Sequence, residues 1–213
     1  MTATPQEQDS GTGTIAVLRN RPFLLLWLSQ AATQIGGNMV LYGLTVIVVS
    51  ATSSNSAVSL LILTFLVPAV LFSALAGVYV DRLDRRLILI GTNVARGILF
   101  ILIFLVGDFV PAILVLNFLV SMITVFFAPA EASMIPMLVP RHQLLAANGV
   151  FTLTLNAAFA LGFALMGPFV VAIAGPEALI VLVAGLYFVA AAYPPALYAD
   201  EAEEEAHAGV ARL

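Results

Sequence analysis

Long apolar runs, separated by short polar or Pro/Gly breaks, make up most of this chain. Each run is close to the ~20 residues that an α-helix needs to cross a ~30 Å hydrocarbon core. Lipid offers no hydrogen-bond partners, so the backbone of such runs must satisfy itself as helix. The pattern predicts an all-α integral membrane fold with six transmembrane helices, at residues 23–50, 57–80, 87–106, 110–128, 149–174 and 178–197.

Prolines mark some of the predicted helix ends. Pro129, Pro136 and Pro140 follow the fourth apolar run, and we expect them to end that helix. Pro168 lies inside the fifth run instead, where the missing N–H predicts a kink near the middle of the membrane.

Arginines collect at one side of the predicted bundle, as Lys and Arg do in cytoplasmic loops. Arginines precede the first helix and follow the second, fourth and sixth, whereas the opposite loops contain only Asp108 and Glu177 as charged residues. We therefore expect a multi-pass protein of the cell membrane with both termini in the cytosol. The predicted parts are a polar cytosolic tail at 1–20, the bundle at 21–198 and an acidic cytosolic tail at 199–213.

The composition excludes several classes of protein. The chain is 62% apolar and 9% charged over 213 residues, against roughly 45–50% and 25% in soluble domains. It has no basic face for nucleic acid. It has no cysteine and two histidines, so no metal site or cofactor is expected. The start of the chain is polar and lacks the pattern of a cleaved leader, so none is expected.

A polar stripe runs along the first predicted helix. Gln30, Gln34, Asn38 and Tyr42 recur every four residues and therefore lie on one face. Polar groups at this depth usually face the bundle or a water-filled cavity.

A charged hinge at residues 77–89 separates the second and third runs, with the sequence GVYVDRLDRRLIL. It resembles the loop signature of the major facilitator superfamily, with matches at Gly77, Asp81, Arg82, Arg85, Arg86 and Leu89. Asp84 stands where the signature usually has glycine. This departure and the segment at residues 126–140 are similar to the drug- and macrolide-efflux branch. The resemblance covers about residues 19–198.

The resemblance implies that the loop acts as a conformational latch. The latch residues would be Gly77, Asp81, Arg82, Arg85, Arg86 and Glu131. Asp81 would face a helix N-terminus in the second half of the protein, because that end favours an anion. Arg85 would pair with Glu131 at the cytosolic end of the fourth helix. The alternative for Glu131 is a solvated acid at the interface.

The resemblance also implies a central cavity lined by the first helix. The predicted substrate contacts are Gln34, Asn38, Tyr42, Asn117 and Asn156. The alternative is that these side chains form hydrogen bonds between helices. The pair Gly167 and Pro168 matches the core of the efflux pattern in the fifth helix, while its preceding glycine would fall at Phe163, with Gly162 one position out of register.

Charges inside the six predicted helices are few. Many efflux relatives place an acid at the position where this chain has Gly37. Because glycine replaces that acid, no carboxylate is expected deep in the membrane. Arg96 lies in the third predicted helix. Either it snorkels to the interface, or it faces the bundle and supports the loop.

The resemblance implies a secondary transporter, the N-terminal half of an efflux protein that works by alternating access in the lipid bilayer. Its partners would be a small-molecule substrate and either a separate second half or a second copy of the chain. The alternative is a truncated or regulatory membrane module that does not transport. An enzyme is not expected, because no His, Asp or Glu lies deep in a predicted helix.

Overall fold

The chain folds into helices throughout its described part. The structure is a computed structural model that describes the backbone of residues 13–80 and 83–210 and, apart from residues 78, 79 and 193–210, their side chains. No strand occurs in these residues, which confirms the all-α prediction. The helices are α1 Thr14–Leu18, α2 Arg21–Thr52, α3 Asn55–Val80, α4 Arg85–Val106, α5 Val110–Leu138, α6 Leu144–Phe159 and α7 Gly167–Val210, with a 3₁₀ turn at Arg141–Gln143 and a π-helical segment at Ala160–Met166.

Local sequence explains several helix ends. The Asn20 side chain accepts a hydrogen bond from the Phe23 N–H at 3.2 Å and caps α2. Asp84 caps α4 in the same way, by accepting from the Arg86 N–H at 2.8 Å. Gly107 ends α4 with φ 61°, a backbone conformation that suits glycine.

Five helical segments in the described residues are long and apolar enough to cross a membrane. They are Arg21–Thr52, Asn55–Gly77, Arg85–Val106, Val110–Leu138 and Arg141–Ala192. The last has 52 residues and contains the fifth and sixth predicted runs. Within it, Gly175 has a non-helical backbone with φ 87° and ψ 165°.

The chain reverses direction at this break, as its contacts with α2 indicate. Before the break, Gly162 packs on Asn38 and Gly167 on Tyr42. Residue numbers therefore increase in the same direction along this segment and along α2. After it, Leu179 packs on Gly43 and Val183 on Gly36, so the order is inverted. The two parts of this long segment therefore run in opposite directions beside α2.

The prediction that three prolines end the fourth helix was wrong for two of them. The helix α5 continues through Pro129 and Pro136 to Leu138, and Pro140 alone stands beyond its end. Neighbouring groups can satisfy the carbonyls that an internal proline frees in a membrane helix. The longer α5 places Glu131 inside a helix rather than in a connection.

Glycines on α2 and α4 let bulky residues of α7 approach closely. A Cβ at Gly36 would lie 3.1 Å from Val183, and one at Gly97 would lie 3.0 Å from Phe188. In lipid, where apolar burial between helices is not a driving force, such close backbone approach supplies packing energy. Thus α2 is central, with the π-helical segment on one side and the later part of α7 on another.

The outer face of α3 has no partner among the described residues. Leu66, Val70 and Leu71 are exposed, Val70 by 77%. In a membrane protein such a face meets lipid or another membrane polypeptide.

Candidate functional site

A cavity of about 580 Å³ lies between α2, α3, α4, α5 and the later part of α7. Its apolar wall includes Leu41, Phe65 and Phe100. Arg96 follows Arg85, the first residue of α4, by eleven positions, or about 16 Å of helix, which is near the middle of a ~30 Å core. The polar lining residues are Thr33, Gln34, Asn38, Ser73, Arg96, Ser121, Thr124 and Tyr187.

The α2 stripe supplies two of these polar residues. Gln34 and Asn38 line the cavity, and Asn38 Nδ2 donates to the Gln34 carbonyl at 2.8 Å. Tyr42 lies outside the cavity, where its ring packs edge-on against Phe163 with centroids 5.7 Å apart. The four-residue spacing therefore identifies the side of α2 that reaches the cavity, but not its full extent.

The two other predicted contacts also lie outside this cavity. Asn117 is fully buried, and its Nδ2 donates to Thr64 Oγ1 at 2.6 Å, which links α5 to α3. The sequence analysis gave such a hydrogen bond between helices as the alternative to substrate contact. Asn156 is exposed, and its Nδ2 donates to the Thr152 carbonyl at 2.8 Å. Substrate contact by either residue stays a prediction.

Arg96 lines the cavity and was not among the predicted substrate contacts. It is 2% exposed and faces the bundle, so the interface-snorkelling interpretation was wrong. Its Cζ lies 4.2 Å from the ring centroid of Phe127 and 4.6 Å from that of Tyr187, distances typical of cation–π contacts. Its Nη2 donates to Asn93 Oδ1 at 2.5 Å. A signal existed: an arginine at mid-membrane costs roughly 2.5–3.5 kcal/mol and needs a partner.

Glu131 has a different cationic neighbour from the one predicted. The side chain is 4% exposed, and Arg96 is the cation within electrostatic range of it. Arg85, the predicted partner, donates to Met137 Sδ at 3.2 Å instead. The alternative of a solvated acid was also wrong. The reason is the longer α5, which buries a carboxyl that the shorter predicted helix would have left at the surface.

Glu131 is a buried carboxyl within the Val110–Leu138 helix. It follows Val110 by about 31 Å of helix, which is close to the far edge of a ~30 Å core. The absence of a carboxylate deep in the membrane therefore stays a prediction. The Glu131 Oε1 is buried and has no hydrogen-bond partner in the part of the chain that the structure describes. A buried polar atom without a partner in a folded protein calls for an explanation, such as a functional role or a partner outside the chain.

Four of the six predicted latch residues, Gly77, Arg85, Arg86 and Glu131, lie in the described part of the chain. Asp81 and Arg82 lie outside the described residues. At Gly77 an added Cβ would meet no atom within 4 Å. Asp84, which replaces the usual glycine of the loop signature, caps α4 and so fixes where that helix begins. Gly167 and Pro168, the predicted kink, directly follow the π-helical segment Ala160–Met166.

Comparison with known proteins gives consistent matches. The family model described as Major Facilitator Superfamily matches residues 26–212. Macrolide efflux protein A of Streptococcus pyogenes is 30% identical over 126 residues, which is 57% of this chain and 31% of that protein. The uncharacterized MFS-type transporter YkuC of Bacillus subtilis (strain 168) is 26% identical over 137 residues, 63% of this chain and 32% of that protein. No solved structure gives a significant match. The matched segments thus span about a third of each relative.

Proposed function

Because the chain belongs to the major facilitator superfamily, whose model matches residues 26–212, we propose that it forms one half of an exporter of small organic molecules. The observation that carries this proposal is the cavity of about 580 Å³ among membrane-spanning helices. Ligand pockets typically have about 300–1,000 Å³, mostly apolar walls and a few placed polar groups. Gln34, Asn38, Ser121 and Thr124 are such groups here.

Export is the direction we propose, because a relative of the chain carries the name of a macrolide efflux protein. Alternating access is largely a rigid-body rocking of one half against the other around a fixed site. The close contacts of α2 with Gly162 and with Val183 support a half that moves as one unit, because small residues let these helices pack closely. The site would open first to one side of the bilayer and then to the other.

Six membrane spans with both ends in the cytosol are part of the proposal. A single helix of the 52 residues in Arg141–Ala192 would be ~78 Å long, more than twice the ~30 Å core. The reversal at Gly175 supports two spans in that segment. The arginine distribution supports a cytosolic position for the connection before α4.

The partner we propose is a second six-helix half. Superfamily members bind substrate between two such halves, and the matched segments span about a third of each relative. The apolar outer face of α3 at Leu66, Val70 and Leu71 is a surface that this half can cover. A second copy of the chain is the alternative occupant. Mass measurement of the intact assembly released from membranes distinguishes the two.

The latch is proposed for the loop that ends at α4. The Asp84 cap supports it, because it fixes the start of α4 at the end of the segment that matches the family's loop signature. In the transport assay described next, unchanged export by an Asp81→Asn variant would exclude this role.

Asn38→Leu is expected to reduce export at least tenfold, because it places an apolar group where the cavity wall now offers an amide. Accumulation of erythromycin, ethidium and carboxyfluorescein would be measured in energised cells that express the chain with its neighbouring gene products. Asn148→Leu is the matched control. Asn148 makes the same bond to the carbonyl four residues earlier, at 2.9 Å, but is exposed on α6 and lies outside the cavity.

A membrane module that does not transport is the rival proposal. It predicts that expression lowers the accumulation of none of the three compounds and that Asn38→Leu behaves like Asn148→Leu. If export falls in Asn38→Leu but not in Asn148→Leu, this rival is excluded.

A further inference from the structure

The cavity carries one formal charge. Arg96 is the charged side chain among the described residues that line it, and a guanidinium stays protonated in proteins. The side chain is 2% exposed, so little water screens it. Charges interact strongly in such a low-dielectric site, and a cationic ligand would be repelled.

The Arg96 guanidinium is held in place by contacts that do not occupy all of its N–H donors. Within the described part of the chain, Nε donates to the Thr92 carbonyl at 3.3 Å and Nη2 to Asn93 Oδ1 at 2.5 Å. A further side-chain hydrogen bond joins the guanidinium to Tyr187. Together these bonds account for three of its five N–H groups. The rings of Phe127 and Tyr187 lie against it and restrict its plane. A planar, fixed guanidinium with remaining donors is suited to binding a two-oxygen acid group.

The Glu131 carboxyl lies near Arg96 but outside the cavity lining. It is within electrostatic range of Arg96 and is not among the lining residues. Among the described residues, its buried Oε1 has no hydrogen-bond partner. Arg96 itself lines the cavity, so a ligand and the Glu131 carboxyl can both interact with the guanidinium.

We propose that the cavity binds an organic monoanion, a carboxylate or sulfonate with an apolar body, and that Arg96 receives its acid group. The body packs against Phe65, Phe100 and Leu41. Glu131, when ionised, competes with the ligand for the same guanidinium. This inference rests on the proposed function, since it names the substrate class of the same cavity.

Three isosteric probes test the proposal on the intact assembly of the chain with its second half, in nanodiscs of zwitterionic lipid. The probes are 2-naphthoate, neutral 2-naphthamide and cationic 2-naphthylmethylammonium, measured by equilibrium dialysis against empty nanodiscs. 2-Naphthoate is expected to bind at least tenfold more tightly than the cation. Glu131→Gln is expected to strengthen its binding about tenfold, because the competing charge is gone. Arg96→Lys is expected to weaken it about tenfold, because lysine lacks the two-donor fork.

Each other outcome overturns the inference. Stronger binding of the cation, or binding of none of the probes, contradicts an anion site at Arg96. Binding of 2-naphthoate that ignores both Glu131→Gln and Arg96→Lys assigns it to another surface. The export assay with Asn38→Leu tests the proposed function separately. If erythromycin or ethidium is exported but 2-naphthoate fails the binding test, the transport proposal stands and only the anion site is excluded.

Discussion

Replacing Arg96 with methionine is expected to lower the free energy of unfolding by about 3 kcal/mol or more. Removal of one member of a buried polar pair typically costs ~3–5 kcal/mol when the other member stays charged and uncompensated. Glu131 would lose its cationic neighbour, since it is 4% exposed and within electrostatic range of Arg96. The Thr92 carbonyl and the buried Asn93 Oδ1 would also lose their donor. The variant also loses the ring contacts with Phe127 and Tyr187. Unfolding in mixed micelles with SDS, followed by far-ultraviolet circular dichroism, measures the change.

Two further variants separate charge from packing in this prediction. Arg96→Met combined with Glu131→Gln is expected to regain a large part of the loss, because no charge is then left buried. Arg85→Met is the matched surface control and is expected to change stability by less than about 1 kcal/mol, since Arg85 is not buried. If Arg96→Met were as stable as Arg85→Met, Arg96 and Glu131 would not form an energetic pair.

Gly162→Ala is expected to destabilise the protein by at least about 1–3 kcal/mol, the usual cost of overpacking. An added Cβ would overlap the carbonyl oxygen of Ile35 and lie 2.8 Å from the Cβ of Asn38. Both contacts are with atoms that the α2 backbone holds in place, a carbonyl oxygen and a Cβ. No flexible side-chain end can move aside to relieve them. Because Asn38 lines the cavity, the substitution would also displace a predicted substrate contact. The same SDS unfolding measurement applies, together with the export assay.

Gly149→Ala is the control for the glycine experiment. Gly149 is also helical, but a Cβ there would meet no atom within 4 Å. Alanine has a higher helix propensity than glycine by roughly 1 kcal/mol, so this variant is expected to be as stable as the parent or more stable. Equal stability of Gly162→Ala and Gly149→Ala would mean that the π-helical segment does not pack tightly on α2.

The helices were predictable because membrane burial leaves a plain pattern. Every apolar run that is long enough to cross the bilayer is helical in the described residues, and the four-residue spacing of Gln34 and Asn38 was enough to find a face that reaches the cavity. Both inferences depend on local periodicity alone. Neither requires knowledge of which helices are neighbours.

The charged core was not predictable for the opposite reason. The position of Arg96 depends on Phe127 from α5 and Tyr187 from α7, which the sequence does not place near α4. The burial of Glu131 depends on α5 continuing through Pro129 and Pro136. Proline statistics from water-soluble helices favour an end there, whereas a membrane helix can continue.

The register of the fifth predicted helix shows the same dependence on context. Gly162 was one position away from the expected glycine at Phe163. The segment Ala160–Met166 is π-helical, and a π-helix holds more residues in each turn than an α-helix. Gly162 consequently faces α2 at its closest approach. A position counted along an ideal α-helix would miss that face.

Topology measured by cysteine labelling tests the central claim most directly, because the chain has no cysteine of its own. Single cysteines would be placed at Ser56, Leu83, His142 and Glu177, all exposed, and treated with a membrane-impermeant maleimide in whole cells. The account predicts labelling at positions 56 and 177, and labelling at 83 and 142 only after permeabilisation. Labelling of Leu83→Cys from outside, or of Ser56→Cys and Glu177→Cys from opposite sides, would contradict a six-span half-transporter with its latch in the cytosol.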